Sequence, residues 1–335
     1  MTAPVIRIEG LSKTFTPRRG FSLGSKAGVR AVDDISLDVQ PGSTTALVGE
    51  SGCGKSTTGR LILRLIEPTA GRILFEGRDI ASLGRRELKA VRRHLQIIFQ
   101  DPFGSMSPRR TVAQIIAEPL EAQGMIPSPA RGREIVAGLL EQVGLSPDHM
   151  HRTARQFSGG QRQRIGIARA ISVGPRFIVA DEPVSALDVS VQAQIVNLMQ
   201  DLQAQQNLAY LFISHDLAIV RHIADRVAVM YLGRIVEEGP KAQIFAAPQH
   251  PYTQALLSAA PDANLAARRE RIILGGDVPS PTAVPSGCGF RTRCPLAQQI
   301  CMESRPELRH VAPGQTAACH FATPNPIPAA KESAS

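Results

Sequence analysis

"GESGCGKST", residues 49–57, follows the apolar run Thr44-Thr45-Ala46-Leu47-Val48. It carries Gly49, Gly52 and Gly54, then Lys55 and the hydroxyls of Ser56 and Thr57. A chain that leaves a strand through so little side chain makes either a turn or a place where something approaches the backbone. Glycines allow successive N–H groups to converge on phosphate oxygens. A helix starting here adds its positive N-terminal end. The spacing Gly49-x-x-x-x-Gly54-Lys55-Ser56, between a strand and a helical segment, fits the phosphate-binding loop. Lys55 then reaches the outer phosphates and Ser56 offers a hydroxyl to Mg²⁺. Glu50, Ser51, Cys53 and Thr57 complete the cradle. Cys53, among N–H groups and beside Lys55, is expected to have a depressed thiol pKa and to be shielded by Mg-ATP. The alternative for Cys53 is a small buried filler.

The flanking sequence suits a globular chain. Its 335 residues are 43% hydrophobic, enough for one large domain with an extension or for two domains. No apolar stretch approaches the roughly 18 residues of a membrane span. The start, "MTAPVIRIEG", lacks the basic and apolar regions of a secretory signal. A cytosolic protein that meets a membrane only through partners is expected. The net charge of +9 is spread over runs such as "GRRELKAVRR" and "RQFSGGQRQR". No aromatic residues interleave with them, so nucleic acid is not expected as a partner.

Residues 1–80 read as short strands, including "RAVDDISLDVQPG" and "GRILFEG". Between 100 and 157 the pattern is helical, with Ile135, Leu139, Leu140 and Val143 on one face. From 160 onward apolar strands, "FIVAD", "AYLFIS" and "RVAVMYLG", alternate with helices such as the Val191, Ile195, Leu198, Leu202 stripe. Such alternation predicts an α/β fold around a parallel sheet. After about 255 periodicity fades, and "ATPNPIPAAKESAS" reads as a disordered tail.

"FIVADEP" ends an apolar strand in two carboxylates. Asp181 fits a Mg²⁺-associated role and Glu182 a general base for the attacking water. "FSGGQRQR", 157–164, opens a second helix with Ser158, Gly159 and Gly160. One nucleotide does not need two such helix starts about 100 residues apart in sequence. Two chains, each covering the other's nucleotide, account for both.

Taken together, Gly49 to Thr57, Gln100, Phe157 to Gln161, Asp181-Glu182, Ser185 to Asp188 and His215 resemble the ordered motifs of ABC transporter ATPases. The resemblance covers roughly residues 5–250. It implies a P-loop NTPase fold with a RecA-like parallel core, an antiparallel β subdomain and a helical subdomain at about 100–158. It implies an ATP-sandwich dimer. Ser158, Gly159, Gly160, Gln161 and Asp188 would then face ATP on the opposite subunit. Gln100 would touch Mg²⁺ and the attacking water, and His215 would hold the γ-phosphate and order Glu182. Two positions depart from the pattern. Phe157 stands where the family usually has Leu. Phe15 occupies the adenine-stacking position, usually Tyr, and keeps the stacking face without the hydroxyl.

"QDPFGSMSPRRTV", "DEPVSALDVSVQAQI", "HPYTQALLSA" and the Cys-rich segment resemble a narrower group, the ATP-binding subunits of oligopeptide and dipeptide importers. The resemblance then extends to about residue 322. It implies a peripheral subunit at the cytoplasmic face of the bacterial inner membrane. The implied partners are a sister ATPase in a heterodimer, two permease subunits and an extracytoplasmic binding protein. Residues 105–112, with Arg109 and Arg110, are expected to meet the permease. Import of nickel, glutathione or a sugar is the alternative, and a soluble ABC ATPase acting on nucleic acid a more distant one. The implied domains are an ATPase domain at 1–255 and a Cys-rich extension at 256–322. The tail is 323–335, and a basic loop, 16–30, has no readable role.

Cys288, Cys294, Cys301 and Cys319 crowd into that extension. In a reducing compartment such a set points to metal before disulfide. From the residues alone, an iron–sulfur cluster, zinc and free structural thiols stay open. The resemblance implies a [4Fe-4S] cluster on all four cysteines, with Zn²⁺ as runner-up. Arg291 and Arg293 are expected to offset its charge. Lying outside every ATP motif, it is expected to be structural.

Overall fold

The computed structural model describes residues 3–16, 28–101, 104, 106–259, 272–280 and 282–322. Most of the basic loop, residues 102, 103 and 105 and the tail lie outside the described residues.

The chain begins with β1 (Ile6–Phe15) and β2 (Val29–Val39), then β3 (Thr44–Val48) and α1 (Lys55–Ile62). β4 (Ala70–Phe75), β5 (Arg78–Asp79), α2 (Arg85–Arg92) and β6 (Leu95–Ile98) follow. The helical segment holds α3 (Val112–Ala122), α4 (Pro129–Gln142) and α5 (Gly159–Ile171). Next come β7 (Phe177–Asp181), α6 (Val189–Gln206), β8 (Ala209–Ser214), α7 (Leu217–Ile223), β9 (Arg226–Tyr231) and β10 (Arg234–Pro240). α8 (Lys241–Ala246), α9 (Pro251–Ala259), α10 (Ile300–Glu303), β11 (Arg309–Ala312) and β12 (Gln315–Ala317) complete it.

Two sheets form. An antiparallel sheet has the order β2-β1-β4-β5, as the short strands of the first 80 residues predict. The main sheet has the order β11-β12-β10-β9-β3-β8-β7-β6. Its strands are parallel from β6 to β9. The alternation in β7 and β8 shows why these runs are apolar throughout. Phe177 and Val179 pack with Leu211, Ile213 and the antiparallel sheet on one face. Ile178 and Ala180 pack with Tyr210, Phe212 and the helical segment on the other. A strand covered on both faces has no polar side to present.

The expected parallel sheet is found as the core, and at one edge it is extended by antiparallel strands. These are β10, β12 and β11, so the C-terminal region continues the main sheet. The sequence conceals β10 because Glu237 and Glu238 interrupt its apolar run. Glu237 is fully buried, with its carboxylate accepting from the backbone N–H groups of Gln249 and His250 and from Gln315 Nε2. Burial pushes its pKa up, and these donors oppose that shift. A buried carboxylate is tolerable when its oxygens are met by donors. Here it stitches β10, the turn before α9 and β12 together.

Candidate functional site

The site forms where the parallel strands end. The register sets Val48 opposite Ser214, and Asp181 opposite Ile213. Ile98 lies opposite Ala180. Counting outward, Gln100 and Glu182 come level with each other and next to His215. The strand order therefore brings four separated segments to one edge.

After β3 the loop turns through left-handed positions that suit glycine. Gly54 has φ 112°, and a Cβ there would stand 2.2 Å from the Ala31 carbonyl oxygen. At Gly49 a Cβ would stand 2.2 Å from the Met230 carbonyl oxygen, so β9 presses the loop from behind. Lys55 is 5% exposed and donates to the carbonyls of Gly49, at 2.7 Å, and Glu50, at 2.9 Å. Ser56 Oγ donates to Asp181 Oδ1 at 2.7 Å. Burial pushes the Asp181 carboxyl up, against the Ser56 bond and the nearby Arg60 and Lys55 charges. A divalent cation beside it would favour the ionised form.

A cavity of about 500 Å³ opens in front of this loop. Ser51, Gly52 and Gly54 to Thr57 line one side, and Gln100, Glu182 and His215 the other. Gln100 Nε2 donates to Glu182 Oε2 at 2.9 Å, and His215 Nδ1 lies 3.3 Å from the same oxygen. Glu182 holds φ 48°, an unusual conformation for a side chain other than glycine, with its N–H bonded to the Ile213 carbonyl. Its side chain is 16% exposed, against 59% for His215. A carboxylate fixed between an amide and an imidazole, across a cavity from a phosphate-type loop, can take a proton from water bound between them.

Several expected residues sit elsewhere. Gly49, Glu50 and Cys53 belong to the loop but do not line the cavity. Cys53 is 5% exposed, and burial raises its pKa against the opposing effect of Lys55. The expected reactive thiol is thus corrected to the buried filler. Phe15 is 43% exposed at the end of β1 and pairs with Val29, two residues before the cavity-lining Ala31. Ser158 to Gln161 do not line the cavity. Ser158 caps α5 and forms a reciprocal capping box with Gln161. A Cβ on Gly160 would meet Val191 at 2.4 Å, so close packing onto α6 by itself requires glycine there. Asp188 caps α6.

The four clustered cysteines come near enough that each of Cys288, Cys294 and Cys319 feels the charge of others in the set. Cys288 N–H donates to the Cys301 carbonyl at 2.8 Å. Burial is the main effect on all three shifted thiols and pushes them up. Among the described residues, no group of three or more His, Cys, Asp or Glu side chains is arranged to hold a metal ion. The two arginines expected to offset a cluster are engaged otherwise. Arg291 bonds Ser286, and Arg293 bonds Glu50. Arg109 and Arg110 are both exposed, and Arg110 is paired with Glu118.

This geometry has close counterparts. The family model described as "ABC transporter" matches residues 32–185, and the one described as "Oligopeptide/dipeptide transporter, C-terminal region" matches 236–301. The oligopeptide transport ATP-binding protein AppF of Bacillus subtilis is 51% identical over 320 residues, 95% of this chain and 97% of that one. The chain belongs to the ABC transporter family. A Brucella ovis chain named as a peptide import ATP-binding protein is 54% identical over 316 residues, 94% of this chain and 97% of that one. Among solved structures, the dimeric ATP-binding cassette MJ0796 bound to ADP and Pi superposes with TM-score 0.62 at 25% identity, covering 70% of this chain and 98% of that one. The cassette cbiO1 of Clostridium perfringens gives the same score at 26% identity, covering 73% of this chain and 92% of that one. This ABC ATPase contains, among its described residues, no helix long and apolar enough to cross a membrane.

The contacts missed by sequence reading are those of Tyr252 and Arg293, both of which hold Glu50. Tyr252 lies in the "HPYTQALLSA" motif and Arg293 among the cysteines, but nothing local ties either to Glu50. For the loop itself, the buried Lys55 ammonium yields a direct test. Lys55→Ala should weaken ATP binding at least tenfold, on the scale of one lost charge-assisted contact. Equilibrium titration with labelled ATP measures it, and unchanged affinity would contradict a phosphate site here.

Proposed function

We propose that this ABC ATPase powers import of di- or oligopeptides. The relatives named above and the match at 236–301 support that substrate class. The observation that carries the hydrolytic mechanism is the Gln100–Glu182–His215 constellation facing the loop across one cavity. In this reading the loop from Gly52 to Thr57 cradles the phosphates, with Lys55 on the outer ones. Ser56, Asp181 and Gln100 would hold Mg²⁺, which would supply positive charge against the phosphates, and Gln100 would also meet the attacking water. Glu182 takes the proton from that water, and His215 orders Glu182 and contacts the γ-phosphate. Phe15 stacks on the adenine from the rim. Ser158 to Gln161 and Asp188, outside the chain's own cavity, meet ATP on a second cassette.

The assembly proposed is a heterodimer with a sister ATPase, two permease subunits and an extracytoplasmic binding protein, at the cytoplasmic face of the membrane. The exposed segment around Arg109 is the proposed permease contact. The Cys-rich extension is proposed to carry a [4Fe-4S] cluster on Cys288, Cys294, Cys301 and Cys319. An all-thiol donor set is the kind that suits such a cluster, and the backbone bond from Cys288 N–H to the Cys301 carbonyl brings two of the four cysteines together. When bound, it would cross-link a segment whose apolar contacts are few.

Two experiments test this reading. In the transporter co-purified from membranes, Glu182→Gln should keep ATP binding and lose nearly all ATPase activity and peptide uptake, because shape survives and the base does not. Near-native turnover would exclude Glu182 as the base. Anaerobically purified protein should hold iron and acid-labile sulfide, both lost in Cys294→Ser. Stoichiometric zinc, or no metal, would refute the cluster.

A further inference from the structure

Glu50 is the second residue of the phosphate loop, and its N–H and its carboxylate are both held by residues that do not line the cavity. Its N–H donates to Tyr252 Oη at 2.8 Å. Its carbonyl accepts from Lys55 Nζ at 2.9 Å. Its carboxylate receives Arg293 in bidentate fashion, Nη1 to Oε2 at 2.8 Å and Nη2 to Oε1 at 3.1 Å. The Arg293 side chain is 9% exposed and that of Glu50 27%. This is a sheltered pair with two parallel charge-assisted bonds, the strong and orientationally specific kind. Exposed pairs such as Arg7–Asp38 do not share that shelter.

The surroundings make Arg293 rigid. It lies between Cys288 and Cys294, immediately before Cys294. Phe290, in the same turn, is 2% exposed and packs edge-on against Tyr231, with centroids 5.2 Å apart. Tyr252 completes this aromatic group, 4.7 Å from Tyr231 and 5.4 Å from Phe290. The residues that hold Glu50 from the C-terminal side are therefore anchored on one another.

We propose that Arg293 is a positioning residue of the ATP site, through which the Cys-bearing C-terminal segment sets the shape of the phosphate loop. The physical case has two parts. The loop must present its N–H groups outward, and Glu50 held at its N–H by Tyr252 and at its carboxylate by Arg293 resists rotation of the backbone. The loop must also attract a polyanion, and Arg293 neutralises the carboxylate nearest to it in sequence. Without Arg293, the Glu50 carboxylate is free to swing toward the cavity and repel the triphosphate. A defect in this contact falls on ATP affinity, because Glu182, Gln100 and His215 sit on other strands.

The proposal rests on ATP binding at this loop. Its test is steady-state ATPase of the assembled transporter, with Arg293→Ala, Arg293→Lys, Glu50→Gln and the Arg293→Ala/Glu50→Gln double variant. Arg293→Ala should raise KM for ATP on the order of tenfold, the scale of one charged hydrogen-bonding pair. kcat should stay within about twofold, since the transition-state groups are untouched. Arg293→Lys should recover part of the loss. In the double variant the two effects should not add, because Arg293 acts through Glu50. An unchanged KM, or additive effects, would overturn the proposal. Should Arg293→Ala fail to assemble, Glu50→Gln alone must still raise KM, and an unchanged value would refute it. Loss of ATP binding in Lys55→Ala with native KM in Arg293→Ala sinks this proposal and leaves the reading of the loop standing. Native affinity in both sinks the reading itself.

Discussion

The hydrogen bond from Ser56 to Asp181 joins the loop after β3 to the end of β7, although β8 lies between those strands. It can exist only because the strands are parallel and end at the same level. That one constraint places the rest. The phosphate loop, Glu182 and His215 each follow the last buried residue of a strand, and Asp181 is itself that residue in β7. Each is fixed at its base by the sheet and free at its tip for a ligand. A parallel sheet covered on both faces supplies this rigidity, and its edge is where polar groups can emerge into a cavity.

The energetic balance at that edge is uneven. Asp181 is buried, and burial raises its pKa against the Ser56 bond and the nearby Arg60 and Lys55 charges. Glu182 shares its oxygen with Gln100 and His215 in a left-handed backbone conformation. Such features are costly in a resting chain and are commonly held in place where a ligand will use them. The loop itself is clamped on the opposite side by β9, Tyr252 and Arg293. Rigid support behind, with Lys55, Ser56, Gln100 and Glu182 lining the cavity in front, is the arrangement that lets a site receive phosphate on a backbone already in place.

What was legible in the sequence follows from how local each feature is. The Gly49–Ser56 spacing, the Asp181-Glu182 pair and His215 each directly follow a continuous apolar run, so their position at strand ends could be read from neighbours alone. Gln100 gained meaning only beside them. Arg293 and Glu50 stand 243 residues apart, and "RTRC" looks like any other basic run. Only the fold of the C-terminal region brings them together. The same reason hid β10, whose buried Glu237 depends on donors from Gln249, His250 and Gln315. Cys53 misled for a related cause. Lys55 stands two residues away in sequence, but burial, a tertiary property, dominates its chemistry.

The central claim is that Ser56 and Asp181, joined across the sheet, form the cation end of the nucleotide site. The most direct measurement is ATP affinity by equilibrium titration, with and without Mg²⁺, in the native chain and in Asp181→Asn and Ser56→Ala. The account predicts that Mg²⁺ tightens binding in the native chain and that both variants lose most of this gain while keeping their Mg²⁺-free affinity. The same Mg²⁺-dependent gain in the variants as in the native chain would contradict it.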